Sequence, residues 1–204
     1  YRLLNTTMSF EYIPDEFKPA KTGITLYTMG SHNGALPSVI LSVLGVPYTP
    51  KFINLIEGVH RSPWFKQLNP NGQIPVMIEM TSSGPIVMAE SGAIVGYILE
   101  KYDTTGKLTF PKDSPEHVEA LQWAHFRDST LTPMQSMSNY FSFLAPTKNP
   151  EALQFFKPYT NSKFKLLLDQ IENNGSEHVV GNRLSYVDLL YIPNITFAFM
   201  AGFD

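Results

Sequence analysis

Two short segments carry residue types suited to holding a peptide-like ligand: Gln73-Ile74-Pro75-Val76, and Glu90-Ser91 fifteen residues beyond Pro75. An X-Pro step that opens a strand can, when cis, turn the amide and carbonyl of the residue before proline toward an extended peptide, which then adds as a short further strand. The hydroxyl and first amides of a helix opening on serine suit a carboxylate, and a neighbouring Glu suits an ammonium. Each segment also has a plainer reading. Pro75 could sit trans at the start of an edge strand, and Ser91 could simply cap its helix. Order and spacing together favour the ligand reading.

A third group bears on sulfur. Cysteine is absent, which excludes disulfides, thiolate metal sites and a protein-borne thiol nucleophile, so any thiol chemistry must use a sulfur brought by a ligand. A thiol with a free pKa of ~8.5 is mostly protonated near neutrality, and a donor at a helix N-terminus lowers that value. Tyr27, Ser31 and Asn33 lie at the end of one strand-like run and the opening of the next helix. His32, His60, His117, His125 and His178 show no metal-ligand spacing, so no metal site is implied. Ser31-His32 are sequence neighbours whose side chains diverge, and no elbow motif accompanies them, which argues against a hydrolase.

These residues need elements to position them. Ile24–Tyr27 is a short β-prone run ending in the turn cluster Met29-Gly30-Ser31-His32-Asn33-Gly34. Leu36, Val39, Ile40, Val43 and Leu44 mark a helix, stopped by Gly45 with Pro47 beyond. Residues 48–54 form the next strand-like run, which predicts a parallel βαβ unit. Residues 57–72 read as a polar, aromatic-bearing loop. Residues 75–79 and 86–88 read as an antiparallel hairpin joined by 80–84, and Ser91–Tyr102 as a helix. The order β-α-β, loop, β-β-α is that of the thioredoxin fold.

Beyond a break at 103–113 no strand pattern is convincing. Ser114-Pro115-Glu116 and Asn149-Pro150-Glu151 are N-caps with proline at the first helical position. Ser185-Tyr186-Val187-Asp188 resembles a capping box with Asp in the usual place of Glu or Gln. The predicted organisation is an N-terminal extension (1–20), an α/β domain (21–102), a linker (103–113) and an all-α domain (114–204).

A chain of 204 residues at 43% hydrophobic can bury one large or two small cores. Net charge −3 leaves no basic footprint for nucleic acid. The longest apolar runs fall far below the ~18–20 residues of a membrane span. No targeting signal is visible, which predicts a cytoplasmic protein, and the start at Tyr1 rather than Met predicts residues ahead of it.

With these elements placed, residues 22–204 resemble a cytosolic-type glutathione transferase, nearest the fungal group that includes a yeast nitrogen-catabolite regulator with prion behaviour. The resemblance rests on an ordered series: Asn33-Gly34 twelve residues before Gly45, Leu44-Gly45 with Tyr48, and Gly58-Val59-His60-Arg61. It continues through Asn69-Pro70-Asn71, Ile74-Pro75, Glu90-Ser91-Gly92-Ala93-Ile94 and Ser185-Tyr186-Val187-Asp188-Leu189. Such proteins usually continue for another helix or two beyond the position of Asp204, so an incomplete C-terminal end is expected.

The resemblance implies glutathione as ligand. Ile74 and Pro75 would meet its cysteinyl unit, Ser91 the γ-glutamyl carboxylate, Glu90 the ammonium, and His60 the glycyl end, with Arg61 carried only weakly. It favours Asn33 as the sulfur's partner; Ser31 lies one residue out of step with the serine of other transferase classes, and Tyr27 is expected to pack. Met137, Tyr140 and Phe141, with Met134 and Phe143, form a Met/aromatic stripe that could contact a hydrophobic electrophile or be core. The leading expectation is thiolate addition to an electrophilic apolar molecule, in fungal secondary metabolism or detoxification. A glutathione-dependent cis–trans isomerase of an enone or polyene is the second enzymatic reading, and a glutathione-binding regulator the non-catalytic one. A homodimer is expected, pairing through the helix after the hairpin and the first helix of the other domain.

Overall fold

The structure is a computed structural model and describes residues 9–200. Residues 1–8 of the predicted extension and residues 201–204, at the end expected to be incomplete, lie outside the described residues. The chain divides into two compact units, residues 1–104 and 105–204.

The first unit is built on a four-stranded sheet in the order β2-β1-β3-β4. Strand β1 (Gly23–Thr28) runs parallel to β2 (Tyr48–Phe52) and antiparallel to β3 (Val76–Thr81), which pairs antiparallel with β4 (Gly84–Ala89). Helix α1 (Ala35–Leu44) joins β1 to β2 and ends, as its sequence predicts, on Gly45 at φ 71°, a conformation glycine adopts without steric cost. Helix α3 (Ser91–Tyr102) follows β4. This is the thioredoxin-like arrangement expected from the sequence.

Two details differ from the sequence reading. The hairpin strands are longer and meet in a two-residue turn, Ser82-Ser83, between Thr81 and Gly84. Gly84 at φ 114° and the Thr81 hydroxyl donating to the Gly84 carbonyl at 2.7 Å close the turn, and Pro85 is tolerated because β4 is an edge strand. The segment read as a loop at 57–72 contains a 3-10 turn (Val59–Arg61) and a helix, α2 (Pro63–Leu68). At six residues α2 is too short to show a period, although Ser62 caps it and Pro63 opens it.

Strand alternation sorts the sheet into two faces. Ile24, Leu26, Met77 and Glu79 share one, which α3 covers while packing against α1. Thr25, Tyr27, Val76 and Ile78 share the other, in a core with Ile53, Phe65, Leu68, Ala89 and Ile13. Ile13 belongs to the segment set apart by sequence as an extension, and it is 1% exposed.

In the second unit α4 (Pro115–Phe126), a π-helical turn (Arg127–Leu131), α5 (Thr132–Asn139) and a second π-helical turn (Tyr140–Leu144) run consecutively. They are followed by α6 (Pro150–Asn174) and α7 (Tyr186–Met200). Ser114 and Asn149 cap α4 and α6 through their side chains, as predicted. Asp188 accepts from the Ser185 amide at 2.7 Å, and its other oxygen from the Val179 amide at 2.7 Å, so the Asp of the capping box ties α7 to the preceding loop. Arg127 is fully buried yet satisfied. It donates to the Leu190 carbonyl, Asn194 Oδ1 and Asp128. Among the described residues no helix is long and apolar enough to cross a membrane.

Candidate functional site

The strand register decides which candidate residues share a neighbourhood. Tyr27 pairs with Val76, and Val76 with Ala89. The turn after β1, the Ile74-Pro75 step before β3 and the Glu90-Ser91 step after β4 therefore all leave the sheet at one end. Because β2 is parallel to β1, with Phe52 opposite Thr28, the chain toward His60 leaves at that end as well. Four segments distant in sequence are brought together by the sheet alone.

The turn after β1 is tight. Thr28 Oγ1 donates to the Gly34 carbonyl at 2.6 Å, Ser31 Oγ accepts the Gly34 amide at 3.0 Å, and the Ser31 carbonyl accepts the Ala35 amide at 2.9 Å. A Cβ at Gly34 would lie 2.2 Å from the Met29 carbonyl oxygen, so the turn requires glycine. The three sulfur-partner candidates now differ. Tyr27 is fully buried and spends its single proton on the Phe17 carbonyl at 2.8 Å, and burial, with Tyr12 nearby, pushes its phenol far up. It packs, as expected. Ser31 uses its oxygen as an acceptor for the Gly34 amide and keeps its proton for donation. Asn33 is half-buried in the residues that open α1.

The Ile74–Pro75 bond is cis. The loop leading to it is organised by Asn69, a buried residue to which sequence gave no role. Its side chain donates to the Gln73 carbonyl at 2.7 Å and accepts the Asn71 amide at 3.1 Å, while its own carbonyl accepts the Gly72 amide at 2.8 Å. Asn69-Pro70-Asn71, one of the segments that carry the resemblance, is the turn signal that marks it, though no role was attached to it there.

At the head of α3, Glu90 has φ 73° and ψ 115°, the one non-glycine residue with positive φ among those described. Such a backbone costs roughly 1–3 kcal/mol and points to a functional constraint. Where α2, α4 and α6 open on a Ser or Asn side chain bonded to a helix amide, α3 has no side-chain cap. Its opening amides lack a capping side chain, as do those of α1, and Ser91 is half-buried beside them.

His60 sits in the 3-10 turn. Its Nε2 accepts from Arg61 Nε at 3.2 Å, which places the proton of the neutral ring on Nδ1. That Nδ1 is buried and has no partner among the described residues. Burial first, then the charges of Arg61 and Lys66, hold the imidazole below its usual pKa. The result is a neutral ring bordered by two cations, with an N–H closed off from solvent. The His60 carbonyl lies 3.1 Å from where a Gly72 Cβ would be, so this turn borders the loop before Ile74.

The proposed electrophile contacts lie in the second unit. Met137 and Tyr140 are 37% and 40% exposed. Phe141 is not: its ring stacks on Phe156 at 5.7 Å and meets Tyr140 edge-on at 5.2 Å. Among the described residues no group of three or more His, Asp or Glu could hold a metal ion.

The family description "Glutathione S-transferase, N-terminal domain" matches residues 22–100. The glutathione S-transferase-like protein gedE of Aspergillus terreus is 29% identical over 175 residues, covering 83% of this chain and 76% of that protein. Protein URE2 of Eremothecium gossypii is 30% identical over 134 residues, 63% of this chain and 38% of its own length. The crystal structure of a glutathione transferase homolog from Lodderomyces elongisporus, with two GSH per subunit, matches at TM-score 0.83 and 27% identity, covering 92% of this chain and 87% of that one.

Proposed function

Since residues 22–100 are a glutathione S-transferase N-terminal domain and the chain's relatives include fungal transferase-like and URE2 proteins, we propose that this protein binds glutathione and adds its sulfur to an electrophilic, apolar small molecule. The observation that carries the reading is the convergence of the Ser31–Asn33 turn, His60, cis Ile74-Pro75 and Glu90-Ser91 at one end of the sheet.

The donor set fits an extended tripeptide with two carboxylates, an ammonium and a thiol. The α3 amides and Ser91 hold the γ-glutamyl carboxylate, and Glu90 the ammonium beside it. The Ile74 main chain pairs with the cysteinyl unit, and His60 receives the glycyl end. At the head of α1, Asn33 donates to the sulfur, aided by the helix dipole. An Asn amide is neutral and cannot take the thiol proton, which leaves to solvent. The S–C bond then forms as the leaving group departs with its electron pair, or at the β-carbon of an enone whose α-carbon takes a proton from solvent. We place the protein in the cytoplasm as a homodimer and in secondary metabolism or detoxification. Val118 and Leu121, exposed on α4, offer apolar surface for pairing.

The test is an assay of purified protein with glutathione against a generic aryl halide and then a panel of conjugated enones and polyenes. A transferase yields the glutathione adduct in step with thiol consumed. Isomerised product with no net thiol loss assigns the isomerase reading. Glutathione binding without turnover of any substrate in the panel supports the regulator reading.

A further inference from the structure

Residues 9–20 lie outside the matched domain at 22–100, yet they are built into its core. Ile13 is buried there, with Phe10, Tyr12 and Phe17 packed alongside. The Phe17 ring stacks on Trp64 of α2 at 5.0 Å with an interplanar angle of 22°. Three tethers hold the segment down on the sheet: Tyr27 hydroxyl to the Phe17 carbonyl at 2.8 Å, Lys51 Nζ to the Glu16 carbonyl at 2.7 Å, and the Ala20 amide to Thr25 Oγ1 at 2.9 Å.

What the segment covers is the part of the unit least able to stand alone. Helix α2 has six residues, well short of the length at which an isolated helix persists. It is also one piece with the turn bearing His60. Ser62 Oγ donates to the Val59 carbonyl at 2.7 Å and accepts the Phe65 amide, so a shift of α2 is transmitted to the residue beside His60. Val59 and Ile74 pack on the same cluster as Ile13 and Phe17.

We propose that residues 10–17 form a strap that fixes the glycyl-end wall of the glutathione site, with Ile13 and Phe17 as positioning residues acting through Trp64 and Val59 on His60. This rests on the reading that His60 receives the glycyl carboxylate. Sequence alone hid the strap because Phe10, Ile13 and Phe17, although spaced three and four apart, straddle Pro14 and form only a 3-10 turn at Asp15–Phe17.

The experiment compares dissociation constants for glutathione and for γ-glutamylcysteine, which lacks the glycyl unit, in unmutated protein and in His60→Ala, Phe17→Ala and Phe17→Tyr. Unmutated protein should prefer glutathione, and His60→Ala should lose that preference. Phe17→Ala should lose roughly tenfold in glutathione affinity, the low end of what a charged hydrogen bond supplies, while its affinity for γ-glutamylcysteine changes less than about twofold. Phe17→Tyr, which keeps the stack, should restore the preference. If Phe17→Ala does not fold, Phe17→Leu keeps apolar volume without the ring stack and carries the comparison. Full retention of the preference in Phe17→Ala, or in Phe17→Leu where that variant stands in for it, or equal weakening of both ligands, overturns the strap while leaving His60 in place. Unmutated protein that binds both ligands equally overturns the His60 assignment and the strap with it.

Discussion

Glu79 offers the sharpest test of how α3 is held to the sheet. It lies on β3 with its side chain 6% exposed, and three donors from α3 converge on it: Lys101 Nζ at 2.5 Å, Tyr102 hydroxyl at 2.6 Å and Tyr97 hydroxyl at 2.7 Å. Burial pushes the carboxyl up, but the hydrogen bonds from Lys101, Tyr102 and Tyr97 and the Lys101 charge together leave it below its usual value. Burial, then the bond to Glu79, pushes the Tyr102 phenol up to about 12. Glu79→Gln keeps the shape, keeps one acceptor and turns the other position into a donor facing donors. A charged hydrogen bond contributes about 1.5–3 kcal/mol, and stranding buried donors adds to the loss. Against this, Lys101 is 38% exposed, so water and salt screen its share. The net expectation is a loss of about 2–3 kcal/mol. The assay is urea unfolding followed by Trp64 fluorescence in a Trp123→Phe background, which reports the first unit. A folded-state pKa below the unfolded one stabilises the fold above the ordinary value of 4.5, and the benefit fades as pH falls through the folded pKa. The gap between unmutated protein and Glu79→Gln should therefore be full well above pH 4.5 and narrow as the pH falls through the lowered folded-state pKa. A loss under about 1 kcal/mol, the range of an exposed pair, or a gap independent of pH, refutes the reasoning.

Three further outcomes follow from single features. Asn33→Ala should raise the pKa of the bound thiol and cut turnover with little change in glutathione affinity. Ser31→Ala should do so less; thiolate absorbance against pH ranks them, and a larger rise for Ser31→Ala passes the role to serine. Gly34→Ala should destabilise the first unit by at least the ~1–3 kcal/mol of an overpacked site, because the Met29 carbonyl oxygen lies 2.2 Å from the new Cβ; the urea midpoint measures it. Asp188→Ala should cost the second unit about 2–3 kcal/mol by stranding the Ser185 and Val179 amides; a midpoint equal to the unmutated protein's in Trp123 fluorescence removes that role.

The order of elements was legible because local signals agreed with tertiary need. Alternation at Ile24–Tyr27, the Gly45 stop and the Ser114-Pro115 and Asn149-Pro150 openings each state a backbone requirement in residue types. Helix α2 was missed although Ser62-Pro63 is the same signature, because six residues cannot display a helical period. The strap was missed for a related reason: the three-and-four spacing of Phe10, Ile13 and Phe17 is too short and too broken by Pro14 to announce an element, and what packs these residues is the cluster they meet. The two π-helical turns flanking α5 are invisible to periodicity, since one widened turn leaves composition unchanged. Residue types at the site were readable, but a His60 Nδ1 without a partner among the described residues and the positive φ of Glu90 are properties of the folded chain that no residue spells out.

Calorimetric titration of glutathione into unmutated protein and into Ser91→Ala bears most directly on the proposed site. Saturable binding is expected in the unmutated protein, weakened in Ser91→Ala by about 1–3 kcal/mol, or roughly 5–150-fold, for one lost hydrogen bond to a charged group. No heat of binding in the unmutated protein, or equal affinity in the two, would contradict glutathione binding at the head of α3.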